Sequence, residues 1–160
     1  MGSISGFGTG FAGPISALAA LLLPVSSAQA DPPAAPAHSV SIGVDGLRST
    51  RGNLLVCVTA NAHAFPDCRR DPAATRMQVR AAAITDNFTV ALRDGGTYAV
   101  AIVHDENANG RLDTMMMMPR EGFGFSRNPA MRMGPPRFVD AAFPVSETPA
   151  HQQVRIRYML

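Results

Sequence analysis

The chain has 160 residues with 14 basic and 12 acidic side chains, a formal net charge of +2, and 46% hydrophobic residues. Every basic residue is an arginine, and these are scattered without interleaved aromatics, which argues against a nucleic-acid surface.

The first thirty residues carry no Lys, Arg, Asp or Glu. The apolar run Ala17 to Val25 has the length of a signal-peptide core, and Ala28-Gln29-Ala30 supplies the small-x-small pattern of a cleavage site. The segment departs from the usual pattern in having no basic residue near its start. Residues 1–30 are therefore expected to be a cleaved signal peptide, which makes the protein periplasmic or secreted. The apolar run is short for a bilayer, so the mature form is expected to have no membrane span. Residues 31–38 read as a Pro/Ala-rich spacer, and residues 39–160 as one domain long enough to bury a core.

Beyond the spacer the hydrophobic period becomes two. Val40, Ile42 and Val44 alternate with small or polar residues, predicting a first strand. Asn53 to Thr59 is apolar on both faces, as suits a central strand. Arg76 to Ala82 alternates and is read as a strand, with a short helix as the alternative. Asn87 to Leu92 is a further strand, and Arg93-Asp94-Gly95-Gly96 a turn. Thr97 to Val103 gives the clearest strand signal. From Asp105 to about Pro136 there are few strand signals, only a methionine run, glycines and prolines. A loop of that length in a compact domain is usually functional or disordered, and Phe123 and Phe125 favour a packed one. Arg137 to Val145 and Gln152 to Tyr158 are expected to close the domain. These seven strands, with no convincing helix, predict an all-β fold: a seven-stranded β-sandwich with one long loop.

Cys57 and Cys68 lie in the part expected to be exported, where thiols oxidise, so a disulfide is expected. Two free thiols or a redox pair are the alternatives. The spacing is not C-x-x-C, and two cysteines alone do not make a structural zinc site.

The stretch that carries chemistry is Asp105-Glu106-Asn107-Ala108-Asn109-Gly110-Arg111-Leu112-Asp113. Oxygen side chains alternate at Asp105, Asn107 and Asn109, a glycine follows, and Asp113 adds a carboxylate. With the Arg111 carbonyl this is the order of a loop that wraps Ca²⁺. The position of an EF-hand's bidentate glutamate holds Met116, so the loop is not an EF-hand, and its affinity should be weak, on the order of 10⁻⁴ to 10⁻³ M. Glu106 points away by alternation, and Glu121 can arrive from the following loop. The alternative is a metal-free turn in which Asp and Asn side chains bond their own backbone amides.

Two other chemistries have weaker support. Met115–Met118 with Met131, Met133 and His104 offer soft ligands for copper, against simple loop packing. His104 with Asp105 and Glu106 offers an acid–base set for a small hydrolase, but no serine occupies a nucleophile-elbow frame. Arg120, Arg127 and Arg132 can bind an anionic ligand beside Phe123 and Phe125, against a solvated surface.

Several blocks also carry a family resemblance: Gly46-Leu47-Arg48 with Arg51-Gly52, Ala64-Phe65-Pro66-Asp67, Gly96 to Val100, and His104 to Asn107 with Asn109-Gly110 and Leu112-Asp113. Further blocks are Pro119 with Glu121 to Ser126, Gly134-Pro135-Pro136 with Phe138, and Ala141-Ala142-Phe143. Together, over about residues 40–160, the chain resembles domain-of-unknown-function family 2141. The resemblance implies a small exported bacterial protein with a β-sandwich similar to immunoglobulin or prealbumin-like modules, and no established activity. The Met115–Met118 run departs from the mixed apolar residues expected of the family. The reading is of a non-enzymatic module that presents its long loop to an unknown protein or small ligand.

Overall fold

In a computed structural model, the residues described are Gly10, 37–115, 118–131 and 134–160. Apart from Gly10, the segment expected to be a signal peptide lies outside them, as does the spacer up to residue 36. Ten strand segments appear among the described residues: β1 (Ser39–Asp45), β2 (Asn53–Thr59), β3 (Thr75–Arg80), β4 (Phe88–Ala91), β5 (Gly96–Asp105), β6 (Thr114–Met115), β7 (Met118–Pro119), β8 (Gly122–Phe125), β9 (Phe143–Val145) and β10 (Ala150–Arg155). One short helix, α1 (Phe138–Ala141), precedes β9. The fold is all-β.

One sheet has the order β10-β1-β4, with β1 parallel to β10 and antiparallel to β4. The other runs β3-β2-β5-β8, and β9 pairs with the first residues of β5 on the edge that β8 uses further along. The inner faces share one core. Val40, Ile42, Val90 and Val154 from the first sheet meet Leu54, Val56, Val58, Val100 and Ile102 from the second. In register, Leu54 lies beside His104, Val56 beside Ile102, and Val58 beside Val100.

The second sheet is covered on its outer face as well, which is why β2 and β5 are apolar on both sides. Cys57, Ala99, Ala101, Phe123 and Phe125 form a second cluster there, and Phe65, Met131 and Phe138 pack onto it. The Phe65 ring meets Phe125 and Phe138 edge to face. A disulfide joins Cys57 to Cys68, in a short 3₁₀ turn over this cluster, with 5.8 Å between the Cα atoms. It closes a small loop and contributes about 2–4 kcal/mol. Beside it the buried Thr59 hydroxyl donates to Asp71 at 2.6 Å.

Seven of the ten segments correspond to expected strands; β6, β7 and β8 lie in the stretch expected to be a long loop. The expected strand 137–145 is instead α1 followed by the three-residue β9. The last strand begins two residues earlier than expected and ends at Arg155. Its alternation continues through Ile156 and Tyr158, because the chain there crosses to the other sheet and bridges Phe123 at Arg157. Gly122 and Gly124 permit that crossing. A Cβ on Gly124 would lie 2.7 Å from the Arg155 carbonyl oxygen, and one on Gly122 would lie 2.5 Å from Ile156 and Tyr158. On β8, therefore, the glycines accommodate the C-terminal segment and the phenylalanines fill the outer cluster.

Candidate metal loop at the end of strand β5

Strand β5 runs out of the core directly into the acidic loop. His104 and Asp105, its last two residues, are fully buried. The His104 Nε2–H donates to the Arg51 carbonyl at 2.8 Å, and its Nδ1 accepts the Tyr158 hydroxyl proton at 2.5 Å. Both ring nitrogens are engaged, so His104 serves as a satisfied core histidine.

Asp105 organises the backbone beyond it. One carboxylate oxygen accepts the Asn109 N–H at 3.0 Å and the other the Gly110 N–H at 2.7 Å. Asn107 and Asn109 make side-chain turns of their own: the Asn107 carbonyl oxygen accepts the Asn109 N–H, and that of Asn109 accepts the Arg111 N–H. Their amide groups then both donate to one oxygen of Asp113, each at 2.8 Å. Ala108 and Gly110 adopt left-handed conformations, φ 57° and 78°, which bend the loop around these groups. Hydrogen bonds from the two amides hold the Asp113 carboxyl below the usual carboxylate range, and Arg111 adds to this from 3.5 Å.

Hairpin β6–β7 turns the chain back, and Arg120 N–H donates to the Asp113 carbonyl at 3.0 Å. Glu121, next in sequence, comes to rest against the loop. One of its oxygens accepts the Asp113 N–H at 3.2 Å. Burial pushes its pKa up to about 7, and the neighbouring Asp105 and Asp113 carboxylates add to the shift.

Glu106 faces the other way, as alternation predicts. Arg48 binds it through Nε at 2.9 Å and Nη2 at 2.5 Å, and the Ser49 hydroxyl donates to it at 2.7 Å. The Arg48 guanidinium, stacked 4.3 Å over the Tyr158 ring, holds the Glu106 carboxyl below its ordinary range, with Ser49 assisting. Gly52 is the close-approach point between the two loops: at φ 69°, any Cβ there would overlap the Asp105 carbonyl oxygen. The blocks 46–52 and 104–113, far apart in sequence, thus build one corner of the molecule. Tyr158, which contacts both His104 and Arg48, was not singled out from the sequence; only its place in the terminal alternation marked it.

The five positions expected to ligate Ca²⁺ (Asp105, Asn107, Asn109, Arg111 and Asp113) fall in one turn, and Glu121, expected from the sequence to be able to arrive from the following loop, lies beside it. Among the described residues, no three His, Cys, Asp or Glu side chains are gathered as a ready metal site. Of the methionines, Met131 packs against the phenylalanine cluster and Met118 stands exposed on β7. Met116, Met117 and Met133, which the copper reading needs, lie outside the described residues. Of the arginines considered for an anion, Arg127 donates to the Ala142 carbonyl at 3.1 Å, and Arg132 lies outside the described residues. An open cleft of about 770 Å³ lies between Arg127, Pro129, Pro136 and Val139. No described helix is long and apolar enough to cross a membrane.

An all-β domain of two sheets with a shared core and an acidic turn at a strand end defines the general class. Over residues 42–153, from β1 to β10 and including the acidic turn, the chain matches an uncharacterised protein family conserved in bacteria, domain-of-unknown-function family 2141, and it belongs to that family. No curated protein and no solved structure matches the chain.

Proposed function

We propose that the protein is an exported, non-enzymatic module, an immunoglobulin- or prealbumin-like β-sandwich, whose acidic loop holds a structural Ca²⁺. The ion stiffens the end of β5, and the segment from β6 to α1 is presented to a protein or small ligand. The observation that carries this reading is the convergence of Asn107 and Asn109 on the same oxygen of Asp113, at 2.8 Å each. The two amides hold the Asp113 oxygen that a cation would bind. The open cleft beside Val139 lies within the segment from β6 to α1.

Export is supported by the composition of residues 1–30 and agrees with the Cys57–Cys68 bridge. The non-enzymatic reading is supported by His104, which is fully buried with both nitrogens bonded and so is poorly placed to reach a substrate. Calcium titration of the chelator-treated protein, followed by Tm, tests the central point. The wild type should show a saturable rise at submillimolar to millimolar Ca²⁺, with an affinity on the order of 10⁻⁴ to 10⁻³ M. An Asp105→Asn/Asp113→Asn variant should show none. A flat response in the wild type would reduce the loop to a hydrogen-bonded turn.

A further inference from the structure

We propose that Glu121, immediately before β8, is the ligand that closes this cation site, supplying across the hairpin the carboxylate that the linear motif lacks. This deepens the calcium reading and rests on it.

Glu121 is 4% exposed, and its Oε1 is fully buried with no hydrogen-bond partner among the described residues. Its other oxygen has only the Asp113 N–H, at 3.2 Å. The charged groups beside it are the Asp105 and Asp113 carboxylates. No arginine among the described residues bonds it: Arg48 is committed to Glu106, and Arg111 leans on Asp113. A buried carboxylate flanked by two others, with an oxygen left without a donor, is costly unless a proton shared with Asp105 or a cation enters. The chemistry that fits is a hard divalent cation accepting oxygen ligands.

The topology explains why linear spacing hides the ligand. In a contiguous loop the closing carboxylate follows the glycine by a few residues, and here that place is Met116. The chain instead goes out along β6 and back along β7, with Thr114 paired to Pro119. This sets Arg120 opposite Asp113 and brings the Glu121 carboxylate onto the Asp113 N–H. Asp105, Asn107, Asn109, the Arg111 carbonyl, Asp113 and Glu121 then offer the six or more oxygens that Ca²⁺ takes. An ion bound by all of them would clamp the base of the hairpin and the first residues of β8 to the end of β5.

The test compares wild type with Glu121→Gln by calorimetric Ca²⁺ titration of the full chain, with melting in chelator alongside. Glutamine keeps an acceptor for the Asp113 N–H and gives the orphan position an amide that can donate to Asp105. The expected result is at least tenfold weaker Ca²⁺ binding, with a chelator Tm equal to or above wild type. Wild-type binding with the variant within twofold would overturn the role of Glu121 and leave the loop site standing. No binding by the wild type at millimolar Ca²⁺ would overturn both. If the variant does not fold, ¹³C NMR of carboxyl-labelled wild-type protein decides. The Glu121 signal must move on Ca²⁺ saturation, and a signal that stays in place would refute the assignment.

Discussion

Glu106 and Glu121 flank the same loop and meet opposite environments. Glu106 is drawn below its ordinary pKa by hydrogen bonds from Arg48 and Ser49. Glu121 is pushed up to about 7 by burial, in the company of two carboxylates. An acid with a raised folded-state pKa binds its proton first in the native state. Its contribution is therefore most favourable below the unfolded value near 4.5 and is lost as pH rises through about 7. In chelator, the wild type should lose stability relative to Glu121→Gln between pH 5 and pH 8. Saturating Ca²⁺ should remove that difference in slope. Parallel Tm profiles for the two proteins in chelator would contradict the raised pKa of Glu121. At this scale the sequence exposes the oxygen pattern at Asp105, Asn107, Asn109 and Asp113, because alternation in a turn is local. Arg48, Tyr158 and Glu121 join the corner through strand pairing and a hairpin, and no local spacing encodes that.

Strands β1, β2, β4 and β5 are legible in the sequence because each has a continuous period-two or fully apolar pattern bounded by turn residues. Strand β8 is not. Its Gly-Phe-Gly-Phe reads as a turn-rich loop, since glycine is poor in strands on propensity alone. Only the arrival of Arg155 to Tyr158 across it shows why side chains are excluded at Gly122 and Gly124. Likewise Phe138 to Ala141 looks like the start of a strand, but Ala141 is wanted on the outer cluster, where its carbonyl receives the Ser126 hydroxyl at 2.6 Å. Gly124→Ala should destabilise the fold by roughly 1–3 kcal/mol through overpacking against the Arg155 carbonyl and Val154. Urea denaturation measures this. A loss below about 0.5 kcal/mol, within the range of neutral surface changes, would mean the two segments are not in the contact described.

For the whole molecule, the blocks that carry the family resemblance assemble into two features. Residues 46–52, 104–113 and Glu121 build the acidic corner, while Phe65, Phe123, Phe125 and Phe138 build the outer aromatic cluster. The two lie at successive stretches of β5 and β8, so one strand pair carries both. The corner is rigid on its protein side: Asp105 is locked by two backbone N–H groups and Glu106 by Arg48. What remains adjustable is the set of Asn107, Asn109 and Asp113 contacts, where an ion would enter. This set, with Glu121, forms the proposed calcium site. The most direct measurement is a crystal structure of the protein grown with Ca²⁺. The expected result is an ion with oxygen ligands at about 2.3–2.6 Å from Asp105, Asn107, Asn109, the Arg111 carbonyl, Asp113 and Glu121. An ion-free loop at saturating calcium, with both asparagine amides still donating to Asp113, would contradict it.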